Sequence, residues 1–104
     1  MRPQNETRTT SEPAPLIEAV VQGDLTALQE RLAAGANPNT QKDQFGWTAL
    51  MVAAYEGKID AVRILLDSGA RIGVKNTINQ TALDIAVKAD KTEIADLLRS
   101  RGSK

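Results

Sequence analysis

The chain has 104 residues, the length of one domain, and its 13 acidic and 13 basic side chains cancel to a formal net charge of zero. Neither sign forms a block, so nothing in the charge pattern indicates tracking along a nucleic acid or an anionic membrane. No apolar run reaches the ~20 residues that span a bilayer. The absence of cysteine excludes disulfides and thiolate chemistry.

The N-terminal segment up to Pro13, MRPQNETRTTSEP, is polar and shows no apolar periodicity. Such a segment cannot bury enough apolar surface to fold, which predicts a disordered tail; the alternative is a strand or peptide that docks on a partner. The same segment lacks the apolar core of a secretory signal. We therefore expect a cytoplasmic protein.

A first pair of short helices is predicted between the tail and Gly35. Pro15 suits the start of a helix, where its missing N–H is not needed, and this helix should run to about Gln22. Asp24 is placed to cap the second helix. The residues expected to face inward are Leu16, Ala19 and Val20 in the first helix, and Leu25, Leu28 and Leu32 in the second.

Residues 43–70 contain two further helical segments, separated by Gly57 and ended by Gly69. Apolar residues recur there at i, i+3 and i+4, as Leu50, Ala53 and Ala54 and then as Val62, Leu65 and Leu66. This spacing predicts two amphipathic helices that depend on packing for their stability. Thr48 precedes the first as an N-cap, and Gly69 suits the left-handed position that ends the second.

A third pair is predicted in the C-terminal part of the chain. Thr81 should cap a helix that runs to about Ala89, and Lys91 or Thr92 should begin the last helix. That last helix is expected to bury Ile94, Leu97 and Leu98. Asn79 and Asp90 stand where the preceding copy has glycine, and both residue types tolerate left-handed backbone.

The three pairs recur at a nearly constant interval along the chain. The offset from Thr48 to Thr81 is 33 (81 − 48), and the offset from Gly69 to Gly102 is again 33 (102 − 69). From Gly35 to Gly69 it is 34 (69 − 35), so the intervening loop is longer by one position. Nearly three copies of such a period are typical of a stacked solenoid.

With these motifs the chain resembles the ankyrin repeat family, whose pattern combines a D-x-x-G loop, T-P-L-H-x-A-A-x-x-G and L-L-x-x-G-A. The matching residues of the middle copy are Asp43, Gly46, Thr48, Leu50, Ala53, Ala54, Gly57, Leu65, Leu66, Gly69 and Ala70. The resemblance implies an all-α solenoid of three stacked helix pairs with short β-hairpin-like fingers. Its repeats would span about 14–42, 43–75 and 76–102, followed by a C-terminal tail at 103–104.

The chain departs from the family pattern at two positions. Ala49 and Ala82 replace the family's proline, which leaves the helix prediction unchanged because alanine favours helices. Ile17, Met51 and Asp84 replace its histidine, so the hydrogen bonds that this histidine makes between repeats must be rebuilt or missing. Asp84 begins a helix, where a carboxylate can accept amide hydrogens; the alternative is that it pairs with an arginine of a partner.

The sequence offers no catalytic, metal-binding or cofactor-binding residues. Without histidine or cysteine, Ser–His and Cys–His nucleophilic pairs cannot form. The glycines match neither G-x-G-x-x-G nor a P-loop. A carboxylate pair stays formally possible, but the acidic residues fall at caps, loops and solvated faces.

The resemblance also implies which residues contact a partner, because in ankyrin repeats these are the variable finger positions and the pair that follows Ala-Ala. The residues at these offsets are Val21 and Gln22 in the first copy, Gln44, Phe45, Trp47, Tyr55 and Glu56 in the second, and Thr77, Ile78, Gln80, Lys88 and Ala89 in the third. All three aromatic residues of the chain belong to this set, and aromatic side chains are enriched at binding hot spots. The alternative is that Phe45 and Trp47 fold over the finger's own neighbours.

The sequence therefore predicts a non-enzymatic protein–protein interaction module. We expect it to bind a partner protein, whose identity the sequence does not give, through the concave surface of its fingers and first helices. No cofactor, nucleic acid or membrane is expected, and the chain should be a monomer when alone. The alternatives are a self-associating homodimer with a structural role, and a small-molecule-binding or hydrolytic protein that uses the acidic residues.

Overall fold

A computed structural model describes residues 14–39 and 45–102 of the chain. Its six helices are α1 (Ala14–Gln22), α2 (Leu25–Ala33), α3 (Ala49–Glu56), α4 (Ile59–Asp67), α5 (Ala82–Lys88) and α6 (Thr92–Gly102). The described residues form no strand, so the predicted all-α class is confirmed. The two predicted tails, at 1–13 and 103–104, and the predicted site residue Gln44 lie outside the described residues.

The helices pack as three antiparallel pairs in two layers. Each pair joins consecutive helices, α1 with α2, α3 with α4 and α5 with α6. Across the pairs, α1 contacts α3 and α3 contacts α5, which forms an inner layer; α2, α4 and α6 form the outer layer in the same order. The predicted stack of three helix pairs is confirmed. None of these described helices has the length and apolar character that a membrane span requires.

Side-chain caps begin three of the helices, as the sequence predicts. The Asp24 carboxylate accepts a hydrogen bond from the amide of Ala27 at 3.0 Å, and the Thr48 hydroxyl accepts one from the amide of Met51 at 3.3 Å. At α5 the Thr81 hydroxyl accepts from Asp84 N, and Thr81 N donates back to Asp84 Oδ2 at 3.0 Å. This reciprocal pair is a capping box, which confirms the structural interpretation of Asp84.

The core runs continuously through the stack between the two layers. Small residues, Ala53, Ala54 and Ala86, are fully buried and allow the inner helices to approach closely. The largest fully buried side chains are Leu28, Leu50, Met51, Leu65, Leu98, Val20 and Val62. Leu25, Leu32, Leu66 and Leu97, also expected inside, are only partly buried because they lie at the edge of the core.

The connections between the helices adopt the predicted left-handed backbone. Gly69 has φ 98°, and Asn79 and Asp90 have φ 67° and 65°. Asparagine and aspartate accept this geometry more readily than other residues with a side chain. The replacement of glycine in the third copy therefore leaves the path of the chain unchanged.

Hydrogen bonds tie the loops of neighbouring repeats together. Asn39 Nδ2 donates to the Gly69 carbonyl at 3.2 Å, and Asn39 Oδ1 accepts from Arg71 N at 2.7 Å. Further along, Thr77 N donates to the Phe45 carbonyl at 3.0 Å. We call the loop before α5 (residues 71–80) and the described parts of the loop before α3 (residues 37–39 and 45–47) the fingers. These bonds fix the two fingers relative to one another, and the fingers carry part of the candidate site.

Candidate functional site

The candidate site is the inner surface, which we define as the eleven described residues predicted to contact a partner. Eight of them are exposed: Val21, Gln22, Phe45, Tyr55, Glu56, Thr77, Ile78 and Lys88. The other three, Trp47, Gln80 and Ala89, are partly buried. Since none of the eleven is buried, a partner could reach each of them. Their role in binding stays a prediction.

Most of the large hydrophobic side chains that are exposed to solvent belong to this surface. Among the described residues, the exposed large hydrophobic side chains are Val21, Phe45, Tyr55, Ile78 and Val87. Four of these five belong to the inner surface, and Ile78, at the tip of a finger, has the largest exposed fraction, 68%. Large exposed apolar side chains that cluster are a feature of interaction sites, whereas single ones are ordinary.

The three aromatic residues take different positions. Trp47 is partly buried and packs against the core, while Phe45 and Tyr55 remain 57% and 56% exposed. The Trp47 and Tyr55 rings meet edge to face, with centroids 5.9 Å apart and an interplanar angle of 87°. The alternative for Phe45 and Trp47 was that they pack against their own scaffold. Trp47 does so with part of its side chain. Phe45 leaves more than half of its surface exposed to solvent.

Six residues surround a depression between α3 and α5, which we call the Trp47 pocket. It has a volume of about 190 Å³ and is lined by Trp47, Tyr55, Gln80, Ile85, Lys88 and Ala89. Five of the six were predicted site residues, and the pocket brings them together from two repeats. Val21, Gln22 and Ile78 belong to the inner surface but do not line the pocket.

A buried asparagine positions the finger side of the pocket. Asn76 is 6% exposed, and its Oδ1 accepts hydrogen bonds from the amides of Ile78 and Gln80, both at 3.0 Å. Its Nδ2 donates to Gln80 Oε1 at 3.3 Å. Gln80 is thus held by both its backbone and its side chain.

Charge at the pocket comes from Lys88. Within the described part of the chain, no carboxylate lies within 4.0 Å of its ammonium group; the ion pairs found there are Arg99–Asp96 at 3.4 Å and Arg101–Asp67 at 2.7 Å. Both of those pairs involve the outer layer. The described residues also bring no three His, Cys, Asp or Glu side chains together as metal ligands.

Sequence reasoning missed three residues that shape this region. Ile85 lines the pocket, Asn76 organises the finger, and Val87 is exposed outside the predicted set. For Asn76 a signal existed, because it stands one period after Asp43, the loop position of the middle repeat (76 − 43 = 33). For Ile85 the sequence contained no such signal, because an apolar residue on a predicted helix is expected to lie in the core.

Comparison with known protein families agrees with this architecture. A family model of ankyrin repeats in three copies matches residues 16–104. The chain belongs to the ankyrin repeat family. Ankyrin repeats are in general protein-interaction modules.

Several curated proteins contain a segment similar to this ankyrin repeat chain. The E3 ubiquitin-protein ligase KEG of Arabidopsis thaliana is 37% identical over 76 residues, which are 73% of this chain and 5% of that protein. Ankyrin repeat and SAM domain-containing protein 6 of Rattus norvegicus is 36% identical over 88 residues, 83% of this chain and 10% of that protein. The human NAD-capped RNA hydrolase NUDT12 is 38% identical over 80 residues, 77% and 17% of the two chains.

The chain thus spans a small part, between 5% and 17%, of the length of these three relatives. What it shares with them is a segment that matches its own ankyrin repeats.

Proposed function

We propose that this chain is a non-enzymatic protein–protein interaction module that binds a partner protein through the inner surface. One observation carries the proposal: four of the five exposed large hydrophobic side chains of the described residues stand at predicted contact positions. These four are Val21, Phe45, Tyr55 and Ile78. Burial of such side chains against a partner removes apolar area from water, which favours association. Tyrosine adds a large contact area with few rotatable bonds to immobilise.

The polar residues of the inner surface support the same proposal. Gln22, Glu56, Thr77 and Lys88 are the exposed polar members of the inner surface. An apolar centre with a polar rim is the usual composition of a protein interface, where the rim gives specificity more than affinity. We infer recognition by shape and burial, in a cytoplasmic protein that is monomeric without its partner.

The enzymatic names of some relatives do not alter this proposal. The chain covers 5% of the ubiquitin-protein ligase and 17% of the human NAD-capped RNA hydrolase. A fold does not dictate a function, and a repeat segment can be joined to many different domains. We assign the chain the binding role of its repeats.

The test compares the wild-type chain with the double variant Phe45→Ala/Tyr55→Ala as affinity baits in an extract of the cells that express it. Proteins retained by the wild type are identified by mass spectrometry, and the Kd of each purified candidate is measured by calorimetry. A hot spot contributes about 2 kcal/mol or more, so we expect the double variant to weaken binding by at least ~30-fold. Both side chains are more than half exposed, so the double variant should stay folded; the lost edge-to-face contact between Tyr55 and Trp47 should lower the free energy of unfolding by only about 0.5–1.5 kcal/mol.

The control variant is Arg63→Ala, an exposed change on α4 in the outer layer. It should bind as the wild type does. Equal binding by the wild type and the Phe45/Tyr55 double variant would contradict the proposal. Sedimentation over a range of concentrations tests the rival role, self-association. If the wild type forms a homodimer and the double variant is a monomer, self-association is the function.

A further inference from the structure

We propose that the Trp47 pocket receives one apolar side chain of the partner, and that Lys88 selects a partner segment with a carboxylate next to that side chain. This inference rests on the proposed binding function. It specifies which part of the partner occupies the Trp47 pocket of the inner surface. The occupant is thus an extended or helical protein segment in which Leu, Met or Phe lies beside Asp or Glu.

The size of the pocket determines what kind of group it can take. Sites for small molecules and cofactors have volumes of about 300–1,000 Å³. The Trp47 pocket, at about 190 Å³, is smaller than that range. It fits a single large side chain, which is how protein interfaces use such depressions.

The apolar walls of the pocket are held in place before any ligand arrives. Trp47 packs against the core and meets the Tyr55 ring edge to face at 5.9 Å, so the two rings support each other. Ile85, only 4% exposed, contributes buried aliphatic surface. A pocket whose walls are already ordered loses little side-chain entropy on binding.

The repeat explains why the pocket forms between the second and third copies. Ala89 is the repeat equivalent of Glu56 (89 − 56 = 33), and Lys88 is the repeat equivalent of Tyr55 (88 − 55 = 33). The third copy therefore has a methyl group where the second has a long acidic side chain, and this leaves space beside Tyr55. It also places an ammonium group at the edge of that space.

Two polar groups of the pocket favour an acidic ligand. No described carboxylate lies within 4.0 Å of the Lys88 ammonium, so an incoming carboxylate need not displace a partner. Gln80 receives a hydrogen bond from Asn76 through its Oε1, which leaves its amide nitrogen to donate to a ligand oxygen. An ammonium group and an amide donor complement a carboxylate and the backbone carbonyl beside it.

The experiment uses two small probes of equal shape and opposite charge, 3-phenylpropionate and 3-phenylpropylamine. Each is titrated into the ¹⁵N-labelled chain, and the indole N–H signal of Trp47, the one tryptophan of the sequence, reports on the pocket. We expect 3-phenylpropionate to shift this signal with an affinity about fivefold higher than that of the amine, the upper range for an exposed ion pair.

Two variants test the roles of charge and volume separately. Lys88→Glu should reverse the preference between the two probes, and Ala89→Phe should remove binding of both by filling the pocket. The matched control is Arg63→Glu, the same change of charge on the outer layer, which should keep the wild-type preference. Circular dichroism verifies that each variant is folded.

Several outcomes would overturn the inference. These are equal binding of both probes to the wild type, tighter binding of the amine, or retained binding in Ala89→Phe. A Trp47 signal that moves with protein concentration alone would assign the pocket to a second copy of the chain, and no shift with either probe would exclude an apolar ligand.

The two proposals can fail independently. If the probes fail while partner binding still depends on Phe45 and Tyr55, the function stands and the acidic ligand is wrong. If the probes behave as expected while the double variant binds the partner normally, the pocket is a ligand site but the proposed function is wrong.

Discussion

One buried amide, that of Asn76, organises the finger beside the Trp47 pocket. Its oxygen accepts from two backbone amides and its nitrogen donates to Gln80, so a group that would be costly to bury alone is paired at both atoms. A buried polar group of this kind stabilises a single loop conformation, because alternative conformations leave donors unpaired. The position of Gln80 at the pocket thus depends on a residue that no partner would contact.

We predict that Asn76→Ala lowers the free energy of unfolding by about 1–3 kcal/mol, because the amides of Ile78 and Gln80 lose their acceptor. Chemical denaturation monitored by circular dichroism measures the change. Thr77→Ala, an exposed neighbour on the same finger, is the control and should stay within about 0.5 kcal/mol of the wild type. Equal stability of the two variants would mean that water replaces the lost acceptor.

At the level of single elements, each described helix of this protein is too short to persist alone. These helices have 7 to 11 residues, whereas isolated helices below ~12–15 residues are marginal in water. Two features compensate: side-chain caps at the N-termini of α2, α3 and α5, and the burial of an apolar stripe against neighbouring helices. The shortest helix, α5, carries the capping box of Thr81 and Asp84 and also supplies Ile85 and Lys88 to the pocket.

We predict that Thr81→Ala destabilises the protein by about 1 kcal/mol, since the first amides of α5 lose their side-chain acceptor. Thr81→Ser is the control, because it keeps the hydroxyl and should recover most of the loss. Thermal and chemical unfolding of both variants provide the measurement. A serine variant as unstable as the alanine variant would show that the threonine methyl group, and not the cap, is responsible.

Across the whole molecule, burial depends on whether a neighbouring repeat covers a position. Val20, Ala54 and Val87 are equivalent in the three copies, since their numbers differ by one repeat period each time (54 − 20 = 34 and 87 − 54 = 33). Val20 and Ala54 are fully buried, while Val87 is 50% exposed. Within the described residues, the first two positions are covered by the repeat that follows, and no further described repeat covers the third.

We predict that Ala54→Lys lowers the free energy of unfolding by about 3 kcal/mol or more, because it places an unpaired charge between two repeats. Val87→Lys, the same substitution at the equivalent position one repeat later, should change stability by no more than about 0.5 kcal/mol. Urea denaturation of the two variants gives the comparison. A large loss for Val87→Lys would indicate that this face is covered in solution.

The sequence by itself determined the repeat, the three helix pairs, their caps and the left-handed turns at Asn79 and Asp90. These features follow from local chemistry: apolar spacing, a hydroxyl or carboxylate before a helix, and residue types that tolerate positive φ. The sequence also predicted, through the repeat offsets, which positions stay accessible to a partner, and eleven of the twelve lie in the described part of the chain.

Only the tertiary structure decided how those positions combine. It separated Trp47, which packs partly on the core, from the exposed rings of Phe45 and Tyr55, and it showed that Ile85 and Ala89 shape a pocket between two repeats. The physical reason is that exposure and pocket volume depend on side chains that lie far apart in the sequence. Period and spacing define each repeat, but the surface between two repeats exists only once they are packed together.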